Sequence, residues 1–361
     1  MNVTILVGNG FDLNLNLKTQ YTDFIKDYCK NTEGDNQVVE KFKEDIAKDC
    51  ENWANAELAF GQYTANFQTK NNGAEEFCDC HEDFCRKLAL YLKAQEKRLN
   101  WDFTSRDIAQ AFSDCIIYSN LIGGLSEVER TAIRKSISYH GDGITYNFID
   151  YNYTRALDKW FEETTRNPAC LGGRLLKDRH FENSLGHLYH IHGDVENNMV
   201  LGVNDESQIS EIDIFENYEP EYKESLIKPL TNEMNGANMD ESCKKLIEES
   251  NLIYVYGMSL GKTDMLWWRR IIDWLINHQN AHIIIYAYKA PYKAPYDQLL
   301  KRDFNIFCRK MKREFLSYYT PDKSMADTVL NRVHIDPTNI FEKLKAFAAT
   351  EETINAVPET V

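Results

Sequence analysis

The 361-residue sequence lacks any apolar run near the roughly 20 residues that span a bilayer, and its mean hydropathy is −0.52. Its longest apolar stretches, 252–256 and 283–288, have strand lengths. Positive charge is in deficit: 41 Lys and Arg against 56 Asp and Glu leave a formal net charge of −15. Such a field repels phosphate backbones and anionic membranes at long range. It argues against nucleic-acid coating and membrane attachment, though not against a local basic groove. Nine cysteines are an odd number and are scattered, which excludes a disulfide framework. No basic region or small-residue cleavage site accompanies the first apolar residues, so a cytosolic protein is expected. No internal repeat is visible.

What is present is globular in kind. Apolar residues make up 43% and charged residues 27%, which excludes wholesale disorder and collagen. The length fits one large or two moderate domains. Residues 2–7 are apolar or β-branched almost throughout and read as a central strand buried on both faces. Strand character returns at 144–151, 188–192, 199–203, 252–256, 283–288 and 332–335. Helical patterns lie between these, near 154–165, 239–249, 264–277, 296–314 and 339–348. Strands alternating with helices predict a mostly parallel, Rossmann-like α/β sheet with helices on both faces. From 31 to 139 only helical spacing is found, as in Val38, Val39, Phe42, Ile46 and in Phe77, Cys80, Phe84, Leu88, Tyr91. The expected organisation is therefore a core of 1–30 and 140–350, a helical insertion at 31–139 and a polar tail at 351–361. Thr19 is placed to cap a helix carrying Tyr21, Phe24, Ile25 and Tyr28.

Parallel sheets bind ligands at the carboxyl ends of their strands, so the residues after each strand matter most. After the first comes Gly8-Asn9-Gly10-Phe11-Asp12. Two glycines allow close backbone approach, and their N–H groups suit a phosphate. A third glycine and a direct helix start are missing from the pattern, so a nucleotide loop and a plain turn stand level. Asp12 would repel a touching pyrophosphate but suits a ribose hydroxyl. After 144–151 come Asn152 and Thr154, readable as helix caps or as site residues. After 188–191 come His192, Gly193 and Asp194. His192 suits general-base work or a backbone hydrogen bond, and His190-x-His192-x-Asp194 is a possible metal seed. Gly257 to Thr263 misses a phosphate-binding P-loop by one residue, which leaves Gly257 and Ser259 for another nucleotide. Cys78, Cys80, His81 and Cys85 lack the second half of a zinc site, so free thiols on a helix are the better reading. Trp53 and Glu57, one helical turn apart, either line a pocket or simply pack.

The run Val7-Gly8-Asn9-Gly10-Phe11-Asp12-Leu13 through Leu17-Lys18-Thr19-Gln20-Tyr21-Thr22-Asp23-Phe24 resembles the opening of the AbiH family, bacterial proteins of abortive infection against phage. Trp53 with Glu57, Asn147 to Thr154, His190 to Gly193, Leu201 to Asn204 and Tyr256 to Leu260 extend the resemblance in the same order. Asn16 stands where that family commonly has glycine. In motif order the chain is also similar to sirtuin-like domains: a glycine loop, an Asn, a His-Gly and a Gly-x-Ser-Leu. There the Asn and His sit beside the nicotinamide ribose of NAD. The sirtuin zinc cysteines are missing, and the loop reads GNGFD rather than GAGxS, so protein deacylation is not implied.

The resemblance implies an antiphage effector that binds NAD as substrate and hydrolyses its nicotinamide–ribose bond, with no metal required. Asn152 and His192 would be catalytic, and Gly8, Asn9, Gly10, Asp12, Thr154, Gly193, Gly257 and Ser259 would bind the nucleotide. The rival readings are a non-catalytic nucleotide-sensing module and a metal-dependent nuclease or hydrolase. A phage or host protein trigger is expected, self-association is left open, and the insertion is expected to cover the site at rest.

Overall fold

The computed structural model describes residues 1–32, 34–137, 143–176, 178–235, 239–261, 264–288, 301–318 and 328–349. The expected helix start at 296–300, the Lys262-Thr263 pair and the tail lie outside the described residues. The described strands are β1 (Asn2–Val7), β2 (Thr145–Asp150), β3 (Gly173–Leu176), β4 (Arg179–Glu182), β5 (Ser184–His190), β6 (Leu252–Tyr256), β7 (His282–Tyr286) and β8 (Val333–Asp336). Six of them form one sheet in the order β5-β2-β1-β6-β7-β8, with every pairing parallel.

The chain grows outward from β1 through β2 to β5. It then crosses to the other side of β1 and grows through β6 and β7 to β8. This is the doubly wound Rossmann order, and the expected α/β class holds. In such sheets the ligand crevice opens where the order reverses, here between the carboxyl ends of β1 and β6. β1 is central because its side chains serve both faces. Val3, Ile5 and Val7 enter one apolar core, and Leu6 enters the opposite one.

The helices follow from local spacing. α1 (Gly10–Asn14), α2 (Tyr21–Tyr28), α3 (Gln37–Lys48), α4 (Ala56–Tyr63) and α5 (Gly73–Glu96) come first. Asn36 caps α3 by accepting the Val39 N–H at 2.8 Å. Thr19 does not cap α2, as its position suggested. The cap position is Gln20, and the Thr19 hydroxyl donates to Asn9 instead. Phe24, Phe42, Trp53, Phe60 and Phe84 pack edge to face or tilted across α2–α5, building an aromatic core of their own. Each such ring removed from water is worth about 1.5–3 kcal/mol.

α6 (Ser105–Ile116), α7 (Tyr118–Leu121), α8 (Glu127–Ile137) and α9 (Ala156–Arg166) follow. Phe112, Ile116 and Leu121 join the core of the sheet rather than the aromatic core, so apolar packing divides the 31–139 block in two. Short helices α10 (Pro220–Glu224) and α11 (Lys228–Met234) precede α12 (Met239–Glu248), α13 (Met265–Asn277) and α14 (Lys301–Leu316), which share the opposite core.

Two sequence expectations fail. Residues 199–203 form no strand beyond one bridge, Val203 to Ile227, yet Val200, Leu201 and Val203 are buried. A short apolar run reports burial, not conformation. The antiparallel β3–β4 hairpin was not foreseen, because its charged, partly exposed residues show no alternation. Among the described residues, no helix is long and apolar enough to cross a membrane.

Candidate functional site

The carboxyl ends of β1, β2, β6 and β7 open into a cleft of about 1190 Å³. Its centre is a contact between two loops. The Gly10 N–H donates to the Gly257 carbonyl at 2.9 Å, and the Gly8 N–H donates to the Tyr256 carbonyl at 2.9 Å. Gly257 has φ +70°, and a Cβ on Gly10 would lie 2.4 Å from the Gly257 Cα. Glycine is required at both positions by backbone approach. This corrects one expectation: the Gly8 and Gly10 amides are committed to the neighbouring strand and do not cradle an anion. The N–H groups of residues 258–261 carry no acceptor among the described residues, and Met258, Ser259 and Leu260 line the cleft. A second correction concerns the turn after Gly10, which opens directly into α1. Asn16, where glycine is common in the resembling family, has φ +60°, a conformation asparagine tolerates.

Buried carboxyls underlie the cleft. Asp12 is buried, and its Oδ2 accepts the Thr154 hydroxyl at 2.8 Å. Its Oδ1 has no partner among the described residues. Burial and the adjacent Asp150 push the Asp12 carboxyl up to about 8, so it is protonated at neutral pH. Asp150, likewise buried, rises to about 7. Asp150 accepts the Asn152 N–H at 2.9 Å, and the Asn152 side-chain amide donates to the Gly8 carbonyl at 3.3 Å. Asn152 thus ties the end of β2 to the glycine loop while lining the cleft. His190 does not face the same centre as His192. It bridges the Asn152 carbonyl at 3.3 Å and Asp158 at 2.9 Å. Burial opposes its charge, but Asp158 and Asp150 outweigh that and hold it up at about 9.

His192 is buried at the wall of the cleft, edge-on to Tyr151 at 5.8 Å. Its Nε2 lies 3.4 Å from the Lys228 ammonium, whose Nζ lies 2.7 Å from Glu57. An ammonium has only protons to offer, so Nε2 is the bare nitrogen and the proton sits on Nδ1. Among the described residues that buried Nδ1 has no partner of full hydrogen-bond geometry, though the Ile191 backbone favours its proton. Burial first, and Lys228 second, hold His192 well below its ordinary range, so the imidazole is neutral. Glu57 also accepts from Tyr153 at 3.0 Å and from Tyr21 at 3.4 Å. Asp264, on the same wall, is pushed up to about 6 by burial.

The fold therefore gathers Gly8, Asn9, Gly10, Asp12, Asn152, Thr154, His192, Gly257 and Ser259 around one cleft. Gly193 does not line it; with φ +68° it turns the chain after His192. Asp194 is taken up by Asn197 and by the Glu196 and Asn197 N–H groups, so the His-x-His-x-Asp run does not converge. Among the described residues no group of three or more His, Cys, Asp or Glu is placed to hold a metal. Cys78, Cys80 and Cys85 are free on α5, and burial pushes each up to about 12, which leaves them protonated. Trp53 belongs to the aromatic core, whereas Glu57 lines the cleft. Sequence reading missed Lys228 and Asp264. Lys228 shows no motif, and Asp264 differs from other helix-start acids only in its burial.

This chain belongs to the AbiH family: the family described as bacteriophage abortive infection AbiH matches residues 4–286. The role that membership carries is phage abortive infection. No curated protein matches the chain.

Proposed function

We propose that the cleft binds NAD or a related dinucleotide and hydrolyses its nicotinamide–ribose bond, making the protein a cytosolic, NAD-depleting effector of abortive infection. One observation carries this reading. At the reversal point of a doubly wound sheet, Asn152 and His192 from two different strand ends line the same cleft as the Gly8–Gly10 and Gly257–Ser259 loops. The volume, about 1190 Å³, exceeds what a single nucleoside needs.

In the reaction, the C1′–nitrogen bond breaks and nicotinamide leaves with the bonding pair. A water oxygen bonds to C1′, and one proton is released. Ribose passes through an oxocarbenium-like state, which the carboxyls of Glu57 and Asp264 in the cleft favour electrostatically. His192 is neutral, and a small turn of its ring toward the cleft brings Nδ1–H to a ribose hydroxyl, which it polarises by donating to it. Asn152, held by Gly8 and Asp150, orients the ribose and the attacking water. The amides of Met258, Ser259 and Leu260 take the pyrophosphate. The protonated Asp12 tolerates that charge where a carboxylate would not.

The test is to incubate purified protein with NAD, without added metal, and to quantify nicotinamide. Asn152→Ala and His192→Ala run in parallel, with a melting curve on every sample. Release by wild type that is lost in both folded variants is expected. Absence of release and of NAD-dependent stabilisation sinks the proposal. Stabilisation without release favours nucleotide sensing. That second reading draws on one observation: the bare nitrogen of His192 is already occupied by Lys228.

A further inference from the structure

Helix α14 runs against the electrostatics of the rest of the chain. Its sequence carries Lys301, Arg302, Arg309, Lys310, Lys312 and Arg313 against only Asp303 and Glu314, in a protein of net charge −15. The two faces of the helix are sharply different. Phe307 and Met311 line the cleft, and Phe315 is fully buried in the core beneath. Arg302, Ile306, Arg309, Lys310 and Arg313 form an exposed stripe on the other side, at helical spacing. The stripe extends about 16 Å at the usual rise per residue.

Cations elsewhere on this molecule are commonly matched. Lys41 with Asp45, Arg130 with Glu127, Lys159 with Glu163 and Lys343 with Asp114 are examples. Arg309, Lys310 and Arg313 have no ion-pair partner among the described residues, and with Ile306 they line one surface hollow. Three neighbouring unpaired cations raise the local potential, and a polyanion that displaces their counterions relieves it.

The surroundings select the partner. A membrane-surface helix needs a free apolar face, and the apolar face of α14 is spent on the core and the cleft. A protein partner needs an apolar centre to its interface, and Ile306, 58% exposed, is the sole large apolar side chain of the stripe. Single-strand binders stack bases on exposed aromatic rings, and the stripe has none. Contacts with a duplex need only cations, and Arg forks suit phosphate oxygens. We propose that the outer face of α14 binds the phosphate backbone of duplex DNA, without sequence preference, through Arg309, Lys310 and Arg313. The overall negative charge then confines DNA to this one face. Because the same helix forms a wall of the cleft, DNA docks beside the site rather than at a distance from it.

The experiment is fluorescence anisotropy of a labelled 20-base-pair DNA duplex titrated with the full-length protein at several salt concentrations. Binding is expected to weaken roughly fortyfold between 50 and 200 mM salt, the effect of three phosphate contacts. The triple variant Arg309→Gln/Lys310→Gln/Arg313→Gln is expected to keep the wild-type melting temperature and to lower the salt slope by about 3. If the triple variant melts early, Arg309→Gln and Arg313→Gln are measured singly, each expected to lower the slope by about 1. No binding at 50 mM salt, or binding unchanged by these substitutions, overturns the proposal. So does tighter binding of polyglutamate or of phosphatidylserine vesicles than of DNA at the same salt. None of these outcomes depends on NAD cleavage.

Discussion

The two ends of the sheet hold titratable clusters of opposite character. At the amino end, Ser136, His282, His334 and Glu129 form an unbroken chain of hydrogen bonds of 2.9, 3.0 and 3.1 Å. Each imidazole nitrogen in that chain has a partner. At the carboxyl end, Asp12 Oδ1, Asp150 Oδ2 and Tyr151 OH are buried without one among the described residues. An unpartnered buried polar atom costs about 1–3 kcal/mol. The difference is one of partners: the amino-end groups are matched to one another across α8, β7 and β8, whereas the carboxyl-end groups are shifted chiefly by burial around the cleft. The amino end is complete and holds α8 to β8.

The comparison can be broken most directly at His192. His192→Ala is expected to lower nicotinamide release by about 10²–10⁴-fold, the usual worth of a positioned group, with little change in melting temperature. A melting temperature lowered as far as by an amino-end substitution would erase the distinction. Gly10→Ala is expected to destabilise by about 1–3 kcal/mol, measured by urea unfolding, because its Cβ meets backbone that cannot move aside.

Glu129→Gln probes the amino end. Burial opposes ionisation there, but hydrogen bonds from His334 and Ser126 win and hold Glu129 down to about 2. A depressed carboxyl contributes stability that is present above its unfolded value of 4.5 and lost as pH falls toward 2. The variant should lose about 1–2 kcal/mol at pH 7, allowing for solvent screening, and should flatten the stability profile between pH 5 and 2. Release of nicotinamide should not change.

Asp12 has the opposite sign. A raised carboxyl contributes stability that is fully present below its unfolded value of 3.8 and is lost as pH rises through about 8. Asp12→Asn should therefore melt later than wild type at pH 9 and lose the decline between pH 3.8 and about 8, read by thermal shift across pH. The smallest effect is expected from Lys228→Met against Lys228→Arg. Removing the cation lets His192 protonate more readily, so the acidic limb of the pH–rate profile moves to higher pH in the Met variant and stays put in the Arg variant.

Much of this was legible in the residues. The continuous apolar run of β1 announced a strand buried on both faces, and the runs in β6 and β7 did the same. That Asn152 and His192 line the cleft was legible because the residues after the strands of a parallel sheet border its carboxyl-end crevice. The β3–β4 hairpin was not legible, since four-residue partly exposed strands carry no period. The division of the 31–139 block was not legible either. Helical spacing shows that Phe84 and Phe112 face a core, but not that one faces aromatic rings of the block and the other faces the sheet.

By itself the sequence determined the α/β class, the places of the strand-end motifs and the glycines that let two loops touch. These are properties of neighbours along the chain, where periodicity and backbone freedom act. Only the tertiary structure decided the chemical state of the site. Lys228 reaches Glu57 across 171 positions and His192 across 36, and that meeting settles which imidazole nitrogen carries the proton. Asp12 and Asp150, carboxylates by composition, rise toward neutrality because the sheet buries them together. Charge in a dry interior depends on what lies within a few ångströms, and packing alone chooses those neighbours.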